Sequence, residues 1–217
     1  MRSLSLIVFD LDGTLIDSRR DLADAANALI LEHGGTPLPV EDITAMIGEG
    51  AALLVRRALR AAGHGAADAE VALKRFLELY DERLLVHTRL YEGTREALET
   101  LAARAPLAIL TNKPQRPTER ILDGLGIARF FRWVVGGDTP LPRKPDPAGL
   151  VSLVAAAAAT AAATIMVGDS VIDLRTARAA GTRVCLVRYG FGFPAAVAEL
   201  AGDELLADHP SDLPTTL

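Results

Sequence analysis

LSLIVFDLDGTLID, residues 4–17, runs six mostly apolar residues straight into two aspartates spaced two apart, Asp10 and Asp12. A strand projects residues i and i+2 from one face, so a strand continuing this far aims both carboxylates into one small volume. Each charge then makes the other harder to ionise, and a cation, a proton or a substrate must compensate. Runs of the same apolar or β-branched kind return as PLAIL (106–110), RWVV (132–135), TIMV (164–167) and RVCLV (183–187). Helix-like segments separate the later four. GTREALETLAARA (93–105) sets Ala97, Leu98, Leu101 and Ala102 at helical spacing, and PTERILDGLG (117–126) opens on proline and closes near glycine. DPAGLVSLVAAAA (146–158) and VIDLRTARAAG (171–181) read the same way. Strands alternating with helices predict an α/β, doubly wound parallel sheet with right-handed crossovers. The alanine run Ala155–Ala163 is expected to be helix leading directly into the next strand.

The second predicted strand does not begin until residue 106. Before it, residues 18–86 read as helix throughout. Leu22, Ala26, Leu29 and Ile30 make one apolar face, and Val71, Phe76, Leu79 and Leu84 mark another. The expected organisation is one unit built from residues 1–16 and 88–217, with a helical insert, 17–87, large enough to act as a lid.

The 217 residues are 50% hydrophobic and 24% charged, with a formal net charge of -5. That balance supplies no field for holding nucleic acid or an anionic membrane. The run Leu4–Phe9 is too short for a signal-peptide core, and no window approaches an uncharged membrane span. Cys185, the only cysteine, sits inside RVCLV and reads as a small buried hydrophobe. No internal disulfide is available, and a cytoplasmic protein, monomer or homodimer, is expected.

Three predicted strands end in polar groups: FDLDGT, ILTNKP and MVGDSVID. In an open parallel sheet, ligands bind beyond the carboxyl ends of the strands, near the point where strand order reverses. Asp10, Asp12, Thr111, Asn112, Asp169 and Asp173 are therefore expected to converge. PRKPDP adds Lys144 on a stiff connection between Pro142 and Pro145. Hard oxygen ligands suit Mg²⁺, and His33, His64, His87 and His209 show no metal spacing. A cation beside Lys144 would neutralise a phosphate for attack by a carboxylate. Asp10 then reads as nucleophile and Asp12 as general acid and base, which requires the Asp12 pKa to rise ~2–3 units above its ordinary ~3.9. Gly13 leaves room for a phosphate cradle, and Thr111 adds a hydroxyl donor.

Taken singly, these pieces have plainer readings. An EF-hand calcium loop needs glycine at its sixth position and glutamate at its twelfth, whereas Gly13 is fourth counting from Asp10. GDSVID alone is a turn with an ordinary helix cap at Asp169 or Ser170, and Lys144 alone is a solvated charge. The conjunction at strand ends decides for phosphoryl chemistry.

DLDGTL, LTNKP, KPDP and VGDSVID, in this order, resemble the four motifs of the haloacid dehalogenase superfamily of phosphohydrolases. The resemblance covers nearly the whole chain. It implies a Rossmann-like core with an inserted small helical cap, Mg²⁺ as cofactor, and a small phosphorylated metabolite as partner. It implies Asp10 as nucleophile, Asp12 as acid/base, and Thr111 and Lys144 as the phosphate-binding pair, with Gly13 and Asn112 beside them. Asp169, Asp10 and the main-chain carbonyl of Asp12 resemble the metal ligands, and Asp173 the acid that supports them from the second shell. The dehalogenases themselves lack the second aspartate of the first motif, so its presence points to phosphate esters.

DSRRDLADAANALI, TNKPQRPTERIL, KPDPAGL and RYGFGF (188–193) look closest to phosphoglycolate phosphatases, which implies hydrolysis of 2-phosphoglycolate to glycolate and phosphate. A sugar-phosphate or pyrophosphate phosphatase, a phosphoglucomutase-like enzyme and a non-catalytic phosphate-binding regulatory module are the alternatives. Substrate selection is expected in the cap. There Gly48, Glu49 and Gly50 either dip into the site or form a plain turn between helices. Arg19 and Arg20 either meet a substrate carboxylate or lie on a solvated helix face.

Overall fold

β1 (Leu6–Phe9) in the computed structural model is the apolar run of the opening stretch, and all four of its residues are buried. The structure describes residues 4–65 and 67–217, so residues 1–3 of the expected segment 1–16 and Ala66 of the expected insert lie outside the described residues. Downstream come β2 (Ile16–Asp17), β3 (Arg89–Leu90), β4 (Leu107–Leu110), β5 (Phe131–Val135), β6 (Thr164–Gly168), β7 (Arg183–Val187) and β8 (Leu205–Ala207). Six of these form one sheet in the order β5-β4-β1-β6-β7-β8, every neighbouring pair parallel. Ile7 and Phe9 belong to the apolar cluster on one face, Leu6 and Val8 to the cluster on the other. A strand covered on both faces has no polar side, which is why β1 reads as an unbroken apolar run. Burying each such side chain contributes about 1.5–3 kcal/mol relative to exposure.

The chain moves outward from β1 through β4 and β5, then returns to the other side of β1 with β6. Strand order reverses at β1, and the carboxyl ends of β4, β1 and β6 lie side by side. Helices α1 (Arg19–Glu32), α2 (Val40–Thr44), α3 (Ala51–Ala61) and α4 (Ala69–Asp81) fill the segment between β2 and β3. Helices α5 (Thr94–Ala102), α6 (Gln115–Gly124), α7 (Ala148–Ala156) and α8 (Val171–Ala180) connect the later strands. β2 and β3 pair antiparallel where the chain enters and leaves the helical segment. Asp21, buried on α1, fastens that crossing. Its carboxylate accepts the backbone N–H groups of His87 (2.9 Å) and Thr88 (2.8 Å) and the Thr88 hydroxyl (2.7 Å).

Three sequence expectations need correction. The alanine tract does not run as helix into β6. Helix α7 ends at Ala156, Ala158 takes φ 49, and a short 3₁₀ turn at Ala161–Ala163 follows, capped by Thr160. A crossover helix must reverse direction before the next parallel strand, so a turn is obligatory there. Helix α6 starts at Gln115, ahead of Pro117, because the carboxylate of Asp138 accepts the Gln115 N–H at 2.7 Å and so serves as a remote cap. Val71 is 65% exposed, whereas Ala72, Phe76, Leu79 and Tyr80 form the buried face of α4. It lies about 100° round the helix from Ala72. Among the described residues, no helix is long and apolar enough to cross a membrane.

Candidate active site

Asp10 follows β1, Thr111 follows β4 and Asp169 follows β6, so the sheet reversal brings the three together. Gly13 (φ 87) turns the chain after Asp12 and leaves space for Asp169: a Cβ there would lie 2.2 Å from its Oδ2. Gly190 makes similar room on the other side, where a Cβ would stand 2.1 Å from the Asp169 Cβ. Gly192 donates its backbone N–H to Asp169 Oδ2 at 2.7 Å.

Lys144 reaches the same spot from the loop before α7. Its Nζ donates to Asp10 Oδ1 at 2.7 Å and to Asp173 Oδ1 at 2.6 Å, and all three groups are buried. Burial alone would lower the lysine pKa, but the charges of Asp10 and Asp173 outweigh it and hold the ammonium protonated. Ser170 caps α8, and its N–H (3.1 Å) and hydroxyl (2.6 Å) donate to the other oxygen of Asp173. Asp173 thus spends both oxygens on orienting Lys144 and the start of α8. Carboxylate oxygens of Asp10, Asp169 and Asp173 lie within 4.8 Å of one another. This all-oxygen, buried donor set fits a hard divalent cation, with Asp10 and Asp169 as the carboxylates facing it.

Burial pushes the Asp10 carboxyl up to about 6. The Asp173 charge adds to this, Lys144 opposes it, and Asp12 adds the least. Asp169 is held well above the ordinary range, first by burial and then by Asp173 and Asp10. The expected repulsion from Asp12 is present at Asp10 but is the smallest of these contributions. β1 ends at Phe9, so the two carboxylates do not share a strand face, and each has its own lysine.

A stability consequence follows from Asp10. Its folded-state pKa lies above its ordinary 3.8, so its contribution is fully present below about pH 4 and is lost as pH rises through about 6. Asn at this position does not titrate. In chelator-treated protein, the Tm of the parent chain relative to Asp10→Asn is expected to fall between about pH 4 and pH 7. A constant or rising difference in a thermal-melt series contradicts this.

Asp12 meets Lys113, whose Nζ lies 2.9 and 3.0 Å from its two oxygens, and the Ser18 hydroxyl, which donates at 2.5 Å. Lys113 is buried, and its ammonium sits 4.7 Å from the ring centroid of Tyr80 on α4. Burial would lower its pKa, but Asp12 prevails and raises it. Sequence reasoning assigned none of Lys113, Ser18, Tyr80, Gly190 and Gly192. Lys113 stands inside the quoted ILTNKP, yet its spacing does not show that it meets Asp12 across 101 residues.

A cavity partly open to solvent joins these groups to the helical segment. Asp10, Asp12, Thr111, Asn112, Lys144 and Asp169 line it, as do Gly48 and Gly50. Asn112 spends its amide hydrogens on the carbonyls of Gly48 (3.0 Å) and Lys144 (2.9 Å), tying the helical segment to the Lys144 loop. Glu49 is not brought to the cavity. It is exposed and pairs with Arg57 at 2.6 Å, whereas the glycines on either side line the cavity. Arg19 grips Asp17 with two bonds, and Arg20 stands in solvent near Asp24.

A family model described as haloacid dehalogenase-like hydrolase matches residues 7–187. A phosphoglycolate phosphatase of Pseudomonas fluorescens is 41% identical over 199 residues, covering 89% of this chain and 73% of the relative. One from Rhodospirillum rubrum is 43% identical over 192 residues, covering 85% and 80%. A crystal structure described as a predicted phosphoglycolate phosphatase from Haemophilus somnus superposes with a TM-score of 0.92 at 31% identity, covering 99% of this chain and 98% of its own.

Proposed function

Because the chain belongs to the haloacid dehalogenase-like hydrolase family, we propose that it is an Mg²⁺-dependent phosphomonoesterase that hydrolyses 2-phosphoglycolate to glycolate and phosphate. Residues 1–16 and 88–217 act as the catalytic core and 17–87 as the cap. The observation that carries this reading is the buried set Asp10, Lys144, Asp173 and Asp169, gathered at the sheet reversal, with Asp10, Lys144 and Asp169 lining one cavity.

Asp10 attacks phosphorus and forms an aspartyl-phosphate as the ester P–O bond breaks. Asp12, taking up a solvent proton as Lys113 turns from it to the substrate, gives that proton to the departing oxygen, then takes one from the water that attacks phosphorus and releases Asp10. Lys144 holds Asp10 in line and, with the Thr111 hydroxyl, draws the phosphoryl oxygens into place. Asp173 fixes Lys144. Mg²⁺, held by Asp10, Asp169 and the main-chain carbonyl of Asp12, would supply positive charge to the phosphoryl group. The cap closes the cavity against water.

Phosphate release from 2-phosphoglycolate, with and without EDTA, tests the reading. Release that needs a divalent cation supports it, while chelator-independent release or none contradicts it. Gly13→Ala probes the cradle separately. A Cβ forced onto φ 87 and against Asp169 is expected to lower kcat/KM by roughly 100-fold or more with the fold retained by circular dichroism.

A further inference from the structure

We propose that Lys113 recognises a carboxylate on the leaving-group side of the substrate, with the Tyr80 hydroxyl as its companion. This assignment rests on the phosphomonoesterase reading above and deepens it by naming the side chains that select the carboxylate of 2-phosphoglycolate.

Two ammonium groups line the cavity, and they are differently committed. Lys144 is spent on Asp10 and Asp173. Lys113 forms its ion pair with Asp12, one step further along the path from nucleophile to leaving group. If Asp12 protonates the bridging oxygen, that oxygen sits within a hydrogen bond of its carboxylate. A carboxylate separated from the bridging oxygen by one methylene then falls beside Lys113, whose Nζ is 2.9 Å from Asp12. The Lys113 side chain is 3% exposed, so an ion pair made there is largely desolvated and stronger than one on the surface.

Tyr80 supplies the second, independent observation. Leu22, Ile47, Leu54, Phe76 and Leu77 make the cap side of the cavity apolar. Among the described residues lining it, Tyr80 brings the one polar side chain from that side. Its hydroxyl is buried with no partner at hydrogen-bond distance, and the neighbouring Lys113 ammonium offers it no acceptor. An unpaired buried hydroxyl is costly, and an acceptor on the ligand resolves it. The apolar wall offers nothing to the several hydroxyls of a sugar, so the cavity selects for a short acid.

The test compares kcat/KM for 2-phosphoglycolate with that for ethyl phosphate, its counterpart without the carboxylate, using the full chain with Mg²⁺. The parent is expected to prefer the acid ester. Lys113→Met should lower the preference roughly 10- to 100-fold, mainly through KM, since losses through Asp12 are common to both esters and cancel in the ratio. Lys113→Arg should restore part of it. Tyr80→Phe leaves the Lys113–Asp12 pair in place and should lower the ratio about 3- to 10-fold, which keeps the assignment testable if Lys113→Met fails to fold. A ratio unchanged in both Lys113→Met and Tyr80→Phe, or a parent that does not prefer the acid ester, overturns the assignment while leaving the phosphatase reading standing. A change confined to Lys113→Met removes Tyr80 from it. A parent that hydrolyses neither ester overturns both.

Discussion

Asp10→Asn is expected to lower kcat for phosphate release from 2-phosphoglycolate by roughly 10⁴-fold or more, with the fold unchanged. Asn preserves the shape of the side chain and still accepts a hydrogen bond from Lys144, so the geometry around Asp173 and Asp169 should survive. What it removes is the oxygen anion that the proposed mechanism sets against phosphorus. Positioning by Lys144 and the cavity cannot replace a missing nucleophile, so the deficit should sit in kcat. A variant that keeps more than about a tenth of the activity would mean that water attacks directly and that Asp10 only organises the site.

Lys144→Met should damage both stability and activity. The lysine is the common partner of two buried carboxylates, Asp10 and Asp173, and stands close to Asp169. Deleting one member of a buried pair leaves uncompensated charge and typically costs about 3–5 kcal/mol. For a chain of this size that is a Tm loss of roughly 6–20 °C near pH 7. Protonation of the orphaned carboxyls is the relief available to the variant. The deficit should therefore shrink as pH falls toward about 5, since burial already pushes Asp10 up to about 6. Differential scanning calorimetry across that range measures it, and a Tm equal to the parent's at pH 7 contradicts the buried-charge account.

Strands β1, β4, β6 and β7 were readable because burial on both faces leaves an unbroken apolar signature. β2, β3 and β8 were not, since two or three residues carry no pattern and are strands only through pairing. The end of the alanine tract was equally silent. Alanine favours helix everywhere, and the turn at Ala158 answers to the direction of the next strand.

Three of the four sequence stretches at the site converge because each follows a strand end, which local order reveals, and the fourth brings Lys144 in on the loop before α7. Partner choice is different. Asp12 and Lys113, or Asn112 and Gly48, meet through the packing of the helical segment onto the sheet. Local spacing therefore overstated the Asp10–Asp12 repulsion and gave no sign that Glu49 faces Arg57.

On the proposed mechanism Asp10 carries the phosphoryl group. Acid quench of the chain turning over 2-phosphoglycolate with Mg²⁺, followed by peptide mass spectrometry, tests it most directly. One added phosphoryl group is expected on the peptide containing Asp10, absent from Asp10→Asn and from EDTA-treated protein. Turnover at full rate with that peptide unmodified, or the label on another residue, would contradict it.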